Sequence, residues 1–464
     1  MQPGVIIAIL AILVPLWVLL RRDFIKGLAF AIFFWVFMST QLRVQFGDAI
    51  PAFTIHRLML IVVAAVWLTR NPLSSVRSVP LIGCFVFWFL ANLVSLAGTQ
   101  IDFATSLKGF LDFVLEIFVF YVMASTSLKN EEDALRVLRA AWLGLVAVAF
   151  LAVVERHTGF NPVKSFLPGG EDDGNERMIL ATYQHRILLG TAMAMGVALS
   201  FTLLEAYRGV GRKLKFFWVG LSLLLAASYY GFSRGPWLGL TLACGIMSVM
   251  GSTQVRKKLV LIGVVAMVIL VARPGVVETI SHFAEDTFNK SSFKGGTAQY
   301  RLELWQVAFH EVSKSPWSFL FGCGPSAGMK MHVDWALSYR DEQYVVDSWD
   351  NHFAYALFQF GFVGLAATLL LYFKGLVLFF KAWRRSWPPK RHVLSGLLAT
   401  AAVLVFMMTN VLIFAKQLHY LFWTVIASGF VIVQASDSLQ PVREEEDDFT
   451  TEPASEPVIP VEAY

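Results

Sequence analysis

The chain has 464 residues, 56% of them hydrophobic and only 15% charged, with a formal net charge of +5 at neutral pH. A water-soluble protein cannot hide that much apolar surface around one core, so the composition implies lipid as the solvent. No Lys/Arg-rich stretch interleaved with aromatics argues for a nucleic-acid partner, and three scattered cysteines give no basis for a disulfide framework or a metal site.

The first apolar run, "GVIIAILAILVPLWVLL", has no basic residue before it and "RRDFIKG" after it. A removable secretory signal shows the reverse order, so this run is read as a retained helix. Apolar segments of roughly 17–25 residues span the hydrocarbon as helices. They recur near 4–20, 25–40, 54–69, 79–97, 107–125, 137–154, 187–205, 215–231, 236–251, 258–272, 353–380, 393–414 and 417–435. The third and tenth are short enough to be re-entrant. The expected fold class is an all-α polytopic membrane protein with about 12–13 transmembrane helices.

Orientation follows from Lys and Arg in short loops, which stay cytoplasmic. Alternate connections carry them: "RRDFIK", "TRNPLSSVR", "LKNEEDALRVLR", "EAYRGVGRKLK", "TQVRKK" and "KAWRRSWPPKRH". All six share one side if the amino terminus faces outward and the carboxyl terminus inward. The chain then divides into amino-terminal spans (1–154), a first long outer loop (155–186) and a second group of spans (187–272). A large outer loop (273–352), carboxyl-terminal spans (353–435) and an acidic cytoplasmic tail (436–464) complete it. The tail has no periodic face and is expected to be disordered. "TAQYRLELWQVAFHEV" in the large loop has helical apolar spacing, so that loop is expected to fold as a lid on the membrane. No internal repeat supports an inverted-repeat transporter.

Polar groups concentrate on the outer face. "GFSRGPWLG" puts Arg234 at a tight turn between two spans, with Pro236 suited to the first turn of the next helix. "YQHRILLG" puts His185 and Arg186 before the seventh span, and "QYRLELWQ" presents Arg301, Glu303 and Trp305. "FGCGPSAG" is a glycine-rich turn containing Gly322 and Gly324, and Asp347, Asp350, Asn351 and His352 stand at the mouth of the eleventh span. Each has a plainer reading too. An arginine can snorkel to the headgroups, Asp350 can cap the following helix, and the glycine turn alone is a weak phosphate-loop signal. Against these, charge at membrane depth usually marks a functional site, and guanidinium matches phosphate with forked hydrogen bonds. Within the spans, Asp112 and Glu116 lie one helical turn apart, where they would line a cavity or be buried and paired.

"SRGPWLGL", then "RLELWQVAF", then "FGCGPSAG", then "DNHFAYALFQFGFVGL" with Gly361 and Gly364 resembles the O-antigen ligase and O-antigen polymerase family of bacterial inner membranes, over roughly 180–370. The resemblance implies an architecture like that of GT-C-type glycosyltransferases. It also implies a multi-pass protein of the inner membrane with its active site on the periplasmic face. The donor would be a glycan on a polyprenyl diphosphate and the acceptor a glycan or lipid A core, with membrane lipid and a co-polymerase as further candidate partners. Where many ligases have His followed closely by Asn, this chain has Asp350-Asn351-His352, closer to polymerases of exopolysaccharide clusters. On this reading Arg234, Arg301 and Arg186 neutralise the departing diphosphate. His352 is the first choice for the base, with Asp350 and Glu303 as alternatives, and His185, Trp305, Gly322, Gly324 and Asn351 contact substrate. No cofactor and no metal are expected, and transfer would be inverting. The alternatives are ligation of O-antigen onto lipid A core, and a transporter or flippase of lipid-linked sugars.

Overall fold

The computed structural model describes residues 3–40, 42–44, 53–70, 76, 79–161, 179–183, 185–208, 211–231, 233–272, 293–337, 343–346, 348–409 and 416–437. Asp347, most of the first long outer loop (162–178 and 184), residues 273–292 and 338–342 of the large loop, and the tail from 438 lie outside them.

The protein is an all-α polytopic membrane protein. Its helices are α1 (Pro3–Arg22), α2 (Phe24–Phe37), α3 (Ile55–Leu68), α4 (Ile82–Ala97), α5 (Phe103–Phe110), α6 (Glu116–Ser127), α7 (Glu131–Thr158) and α8 (Arg186–Ala206). They continue with α9 (Gly211–Tyr230), α10 (Arg234–Met250), α11 (Thr253–Ala272), α12 (Phe293–Val312), α13 (Pro316–Phe321), α14 (His352–Arg385), α15 (Pro388–Met407) and α16 (Lys416–Asp437). Among the described residues, α7, α8, α14, α15 and the Lys416–Gln434 part of α16 are long and apolar enough to cross a membrane, and five shorter helices are apolar in overall composition. Two small antiparallel ribbons, β1 (Arg43–Val44) with β2 (Phe53–Thr54) and β3 (His332–Leu337) with β4 (Gln343–Val345), are confined to connections.

Every apolar run read from the sequence contains a helix, and local capping explains many of the starts. Asp23, Thr54, Asp102 and Asn130 each accept a hydrogen bond from a backbone amide of the helix they open. Two spans differ from the sequence expectation of single straight helices. The fifth is split: α5 passes into a π-helical turn at Leu111–Leu115 before α6. The eleventh, α14, breaks at Gly361, whose φ is +62°.

Helix α8 is the buried centre of the bundle and packs against α9, α10 and α15. Trp142 of α7 donates to Ser200 of α8 (2.7 Å), and the Gly190 position of α8 lies against Pro236 at the start of α10. A second, smaller core joins the large loop to α14. Tyr300, Leu304 and Val307 from α12 meet Cys323, Val333, Val346 and Trp349, and close on Leu357 and Phe358. The loop therefore folds as a cap seated on the first half of α14.

Contacts between connections sort the two ends of the bundle. At one end, Arg70 donates to the Arg21 carbonyl (2.7 Å), Lys390 pairs with Glu131 (3.4 Å), and Trp383 donates to the Met250 carbonyl (3.1 Å). These are the basic connections. At the other end, Gln417 donates to the carbonyls of Met38 (2.7 Å) and Thr182 (3.3 Å), and the His352 amide donates to the Met408 carbonyl (2.8 Å). The alternation of basic and non-basic loops in the sequence is thus a segregation in space.

Candidate functional site

At the non-basic end, a cavity of about 540 Å³ opens between α4, α5 and its π turn on one side and the first half of α14 on the other. Its size matches that of a small-ligand site. Trp88, Phe110, Val114, Ala356 and Phe360 give it apolar walls, and its polar lining includes Lys108, Asp112, Ser326, Lys330, His352 and Gln359.

The wall of this cavity is built by an unusual use of the glycine turn. Because α14 breaks at Gly361, the carbonyls of Phe358 and Gln359 lose their helical donors. The amides of Cys323 and Gly324 replace them at 3.0 Å each, and the Ser95 hydroxyl also donates to the Gln359 carbonyl (2.6 Å). This approach leaves no room for side chains. A Cβ on Gly322 would lie 2.3 Å from the Gln359 carbonyl carbon, and one on Gly361 would lie 2.4 Å from the Leu320 carbonyl carbon. Both glycines also have positive φ, which L side chains disfavour. The other flank of the turn is tied to the α4–α5 connection. The Gln100 amide donates to the Cys323 carbonyl (2.9 Å) and the Ser106 hydroxyl to the Pro325 carbonyl (2.9 Å).

These bonds engage the backbone amides of Gly322 and Gly324, the glycines that the sequence reading offered as substrate contacts. Gly322 donates to the Ser318 carbonyl (2.7 Å) and Gly324 to Gln359, so neither amide is available to cradle phosphate. The cap of α14 is reassigned. Asn351, not Asp350, holds that position, its Oδ1 accepting from the amides of Phe353 (3.0 Å) and Ala354 (3.1 Å). Asp350 instead faces Arg301 across 3.8 Å and accepts from the Ser348 hydroxyl (3.2 Å).

His352 is buried at the first position of α14 and lines the cavity. Glu303 is buried on α12 and accepts from Gln299 (3.3 Å), while Trp305 is half-buried between the two cores, a packing position. Arg186 and Arg234 open α8 and α10, which the Gly190–Pro236 contact brings side by side at this same end. His185 caps α8, its Nδ1 accepting from the Ile187 amide (3.2 Å). Neither arginine lines the cavity, and neither does Arg301.

The cations that do reach the cavity are lysines and were not singled out from the sequence. Lys108 precedes Asp112 and Glu116 at spacings of four, one helical face, and that periodicity was the available signal. Asp112 and Glu116 are both paired and cavity-linked. Arg57 of α3 bridges Asp112 and Glu116, the latter at 2.5 Å, and Lys416 of α16 meets Glu116 at 2.7 Å. Two cations and two carboxylates thus cancel. Lys108 and Lys330 are different: among the described residues neither meets a carboxylate or another acceptor.

Among the described residues, His310, Glu311 and Asp334 have donor atoms close enough to hold a metal ion. The Lys314 ammonium already sits between the two carboxylates, 2.6 Å from Glu311 and 2.5 Å from Asp334. Its hydrogen bond holds the Asp334 carboxyl below its usual range.

Residues 219–369 match the family model described as O-Antigen ligase, in agreement with the resemblance read from the motifs. No curated protein sequence matches the chain significantly. The matched region contains Arg234, Arg301, the glycine turn and the first half of α14. The opposite wall of the cavity, from Trp88 to Val114, and Lys416 lie outside it.

Proposed function

Taking as premise an integral membrane protein with an O-antigen ligase family domain, and hence ligase- or polymerase-type activity in polysaccharide biosynthesis, we propose that it transfers or polymerises polyprenyl-diphosphate-linked oligosaccharide. The reaction takes place on the periplasmic face of a bacterial inner membrane and builds O-antigen or exopolysaccharide. The observation that carries this reading is His352, buried on the wall of a cavity that is apolar on its sides and cationic in its polar lining. A lipid-linked diphosphate needs both properties.

In the proposed step, the acceptor hydroxyl attacks the anomeric carbon from the face opposite the diphosphate. The new glycosidic bond forms as the bond from carbon to phosphate oxygen breaks, and its electron pair leaves with the diphosphate. His352 takes the hydroxyl proton, since imidazole is the side chain best matched to neutral proton transfer. Asp350, held by Arg301, and the buried Glu303 are the alternative bases. Arg186, Arg234 and Arg301 form a cationic rim that meets the donor's diphosphate. Fixed charge of this kind stabilises the leaving group more in the transition state than before it. The arginines and lysines make a divalent ion unnecessary, so transfer is metal-independent and inverting.

Purified protein with lipid-linked oligosaccharide in detergent tests this directly. Wild type should extend or transfer the glycan with a chelator present, and His352→Ala should slow transfer by about 10²–10⁴-fold, the usual worth of a positioned base. Absence of transfer by folded wild type would instead fit a flippase, which moves lipid-linked sugars but forms no bond. Chelator-sensitive transfer would overturn the metal-free mechanism. Supplying lipid A core or a second repeat unit as acceptor separates ligation from polymerisation.

A further inference from the structure

Within the proposed transfer site, we infer that Lys108, Lys330 and Gln359, which line the cavity as the three arginines do not, form the seat for the diphosphate of a polyprenyl-linked donor. The inference rests on that functional reading and goes beyond it in naming the seat.

Charge accounting comes first. Arg57, Lys416, Asp112 and Glu116 neutralise one another, so the positive charge left over in the lining is that of Lys108 and Lys330. A diphosphate esterified at both ends carries one negative charge on each phosphate. Two uncompensated ammoniums match it. Loss of the sugar adds negative charge to the diphosphate, so the same two lysines favour the departing group over the bound donor.

The geometry supports the same seat. Lys108 and Lys330 come from opposite walls, but their neighbourhoods are joined: a Cβ on Gly109 would lie 1.9 Å from the Ser326 Oγ. Ser326 lines the cavity, and a single 3₁₀ turn at Ala327–Met329 carries the chain from it to Lys330. Gln359 completes the set. It is only 3% exposed, its side-chain nitrogen has no hydrogen-bond partner, and it lines the cavity. Its backbone is fixed by the Ser95 and Gly324 donors. A buried amide donor without an acceptor is costly unless a ligand supplies one. Because Gln359 follows His352 by seven residues, the two stand two helical turns apart on one face, about 10 Å along the axis. That separation leaves room for the sugar between the base and the diphosphate.

The apolar walls make the ligand a lipid. Trp88, Phe110, Val114 and Phe360 offer a diphosphate alone nothing but desolvation, whereas a polyprenyl chain gains from burying against them.

Binding of radiolabelled geranylgeranyl diphosphate to the full-length protein in detergent, with inorganic pyrophosphate and geranylgeraniol as competitors, tests the seat. Wild type should bind the diphosphate lipid, with each competitor at least tenfold weaker. Lys108→Ala, Lys330→Ala and Gln359→Leu should each weaken binding by tenfold or more, and Lys108→Arg should restore most of it. Unaltered binding by all three folded variants would overturn the seat while leaving the transfer reaction standing. Failure of wild type to bind any diphosphate would overturn the reaction and the seat together. Pyrophosphate binding as tightly as the lipid would reassign the cavity to a free phosphate ligand and reject its lipid role.

Discussion

Asn351 accepts from two backbone amides at the start of α14 and sits beside His352. Truncating it exposes two unmet donors in a buried place, so Asn351→Ala should cost about 1 kcal/mol in thermal unfolding. Asn351→Asp, which keeps the acceptor, should cost much less. The sequence reading offered Asp350 as the cap, a residue type that suits the position as well as Asn does. The choice is made by Arg301 and Ser348, which draw Asp350 away from the helix end, and those partners are tens of residues distant or irregular in structure. Cys323 gives a second test at this scale. Burial, reinforced by the nearby Glu311 carboxylate, pushes its thiol up to about 12. Since the thiolate is the reactive form, Cys323 in the folded protein should resist maleimide from pH 7 to pH 9. It should label fully once the chain is denatured, as mass spectrometry of a variant retaining only this cysteine would show. Rapid labelling of the folded form would mean that the glycine turn opens.

The break in α14 and the turn packed against it form one element. Ala at Gly361 meets the Leu320 backbone and must adopt φ near +62°. With ψ at −165° this is a backbone region that essentially only glycine adopts, and holding an L residue there costs about 1–3 kcal/mol, to which the collision adds. Gly361→Ala should therefore lower the unfolding temperature and also reduce transfer, because the carbonyls that hold Cys323 and Gly324 would turn back into the helix. A Gly375→Ala control on the same helix, whose Cβ would meet the tip of the Ile426 side chain at 3.1 Å, should do less harm to the loop, as limited proteolysis of the 313–331 segment would report. The glycines were visible in the sequence, but their partnership was not. Hydropathy reports which residues lipid can solvate, and so it gave the spans. A helix that breaks so that a loop 35 residues upstream can supply its hydrogen bonds leaves no periodic trace. The π turn at Leu111–Leu115 is the same kind of feature, since the extra residue is accommodated by what α3 and α16 bring to Asp112 and Glu116.

Across the whole molecule, the alternation of basic loops was legible because it follows from electrostatics at each connection separately. The cavity was not, because it joins α4, α5, α14 and α16, and one of its walls lies outside the region of family likeness. The ion quartet is what ties these distant parts together: Arg57, Asp112, Glu116 and Lys416 come from α3, the π turn, α6 and α16. Glu116 is the shared acceptor, with its side chain 11% exposed, against 14% for Arg57 and 21% for Lys416. Removing one member of a largely buried pair leaves an uncompensated charge, which costs about 3–5 kcal/mol in full burial and somewhat less with this residual exposure. Glu116→Gln should thus be strongly destabilising in detergent, because Arg57 and Lys416 then repel across a neutral amide. Adding Lys416→Met should recover a large part of the loss, since Arg57 keeps Asp112. A double-mutant cycle in unfolding temperature measures this coupling. Strict additivity of the two changes would show that α16 is held at this end by packing alone, and that the quartet does not set the charge left over for the cavity.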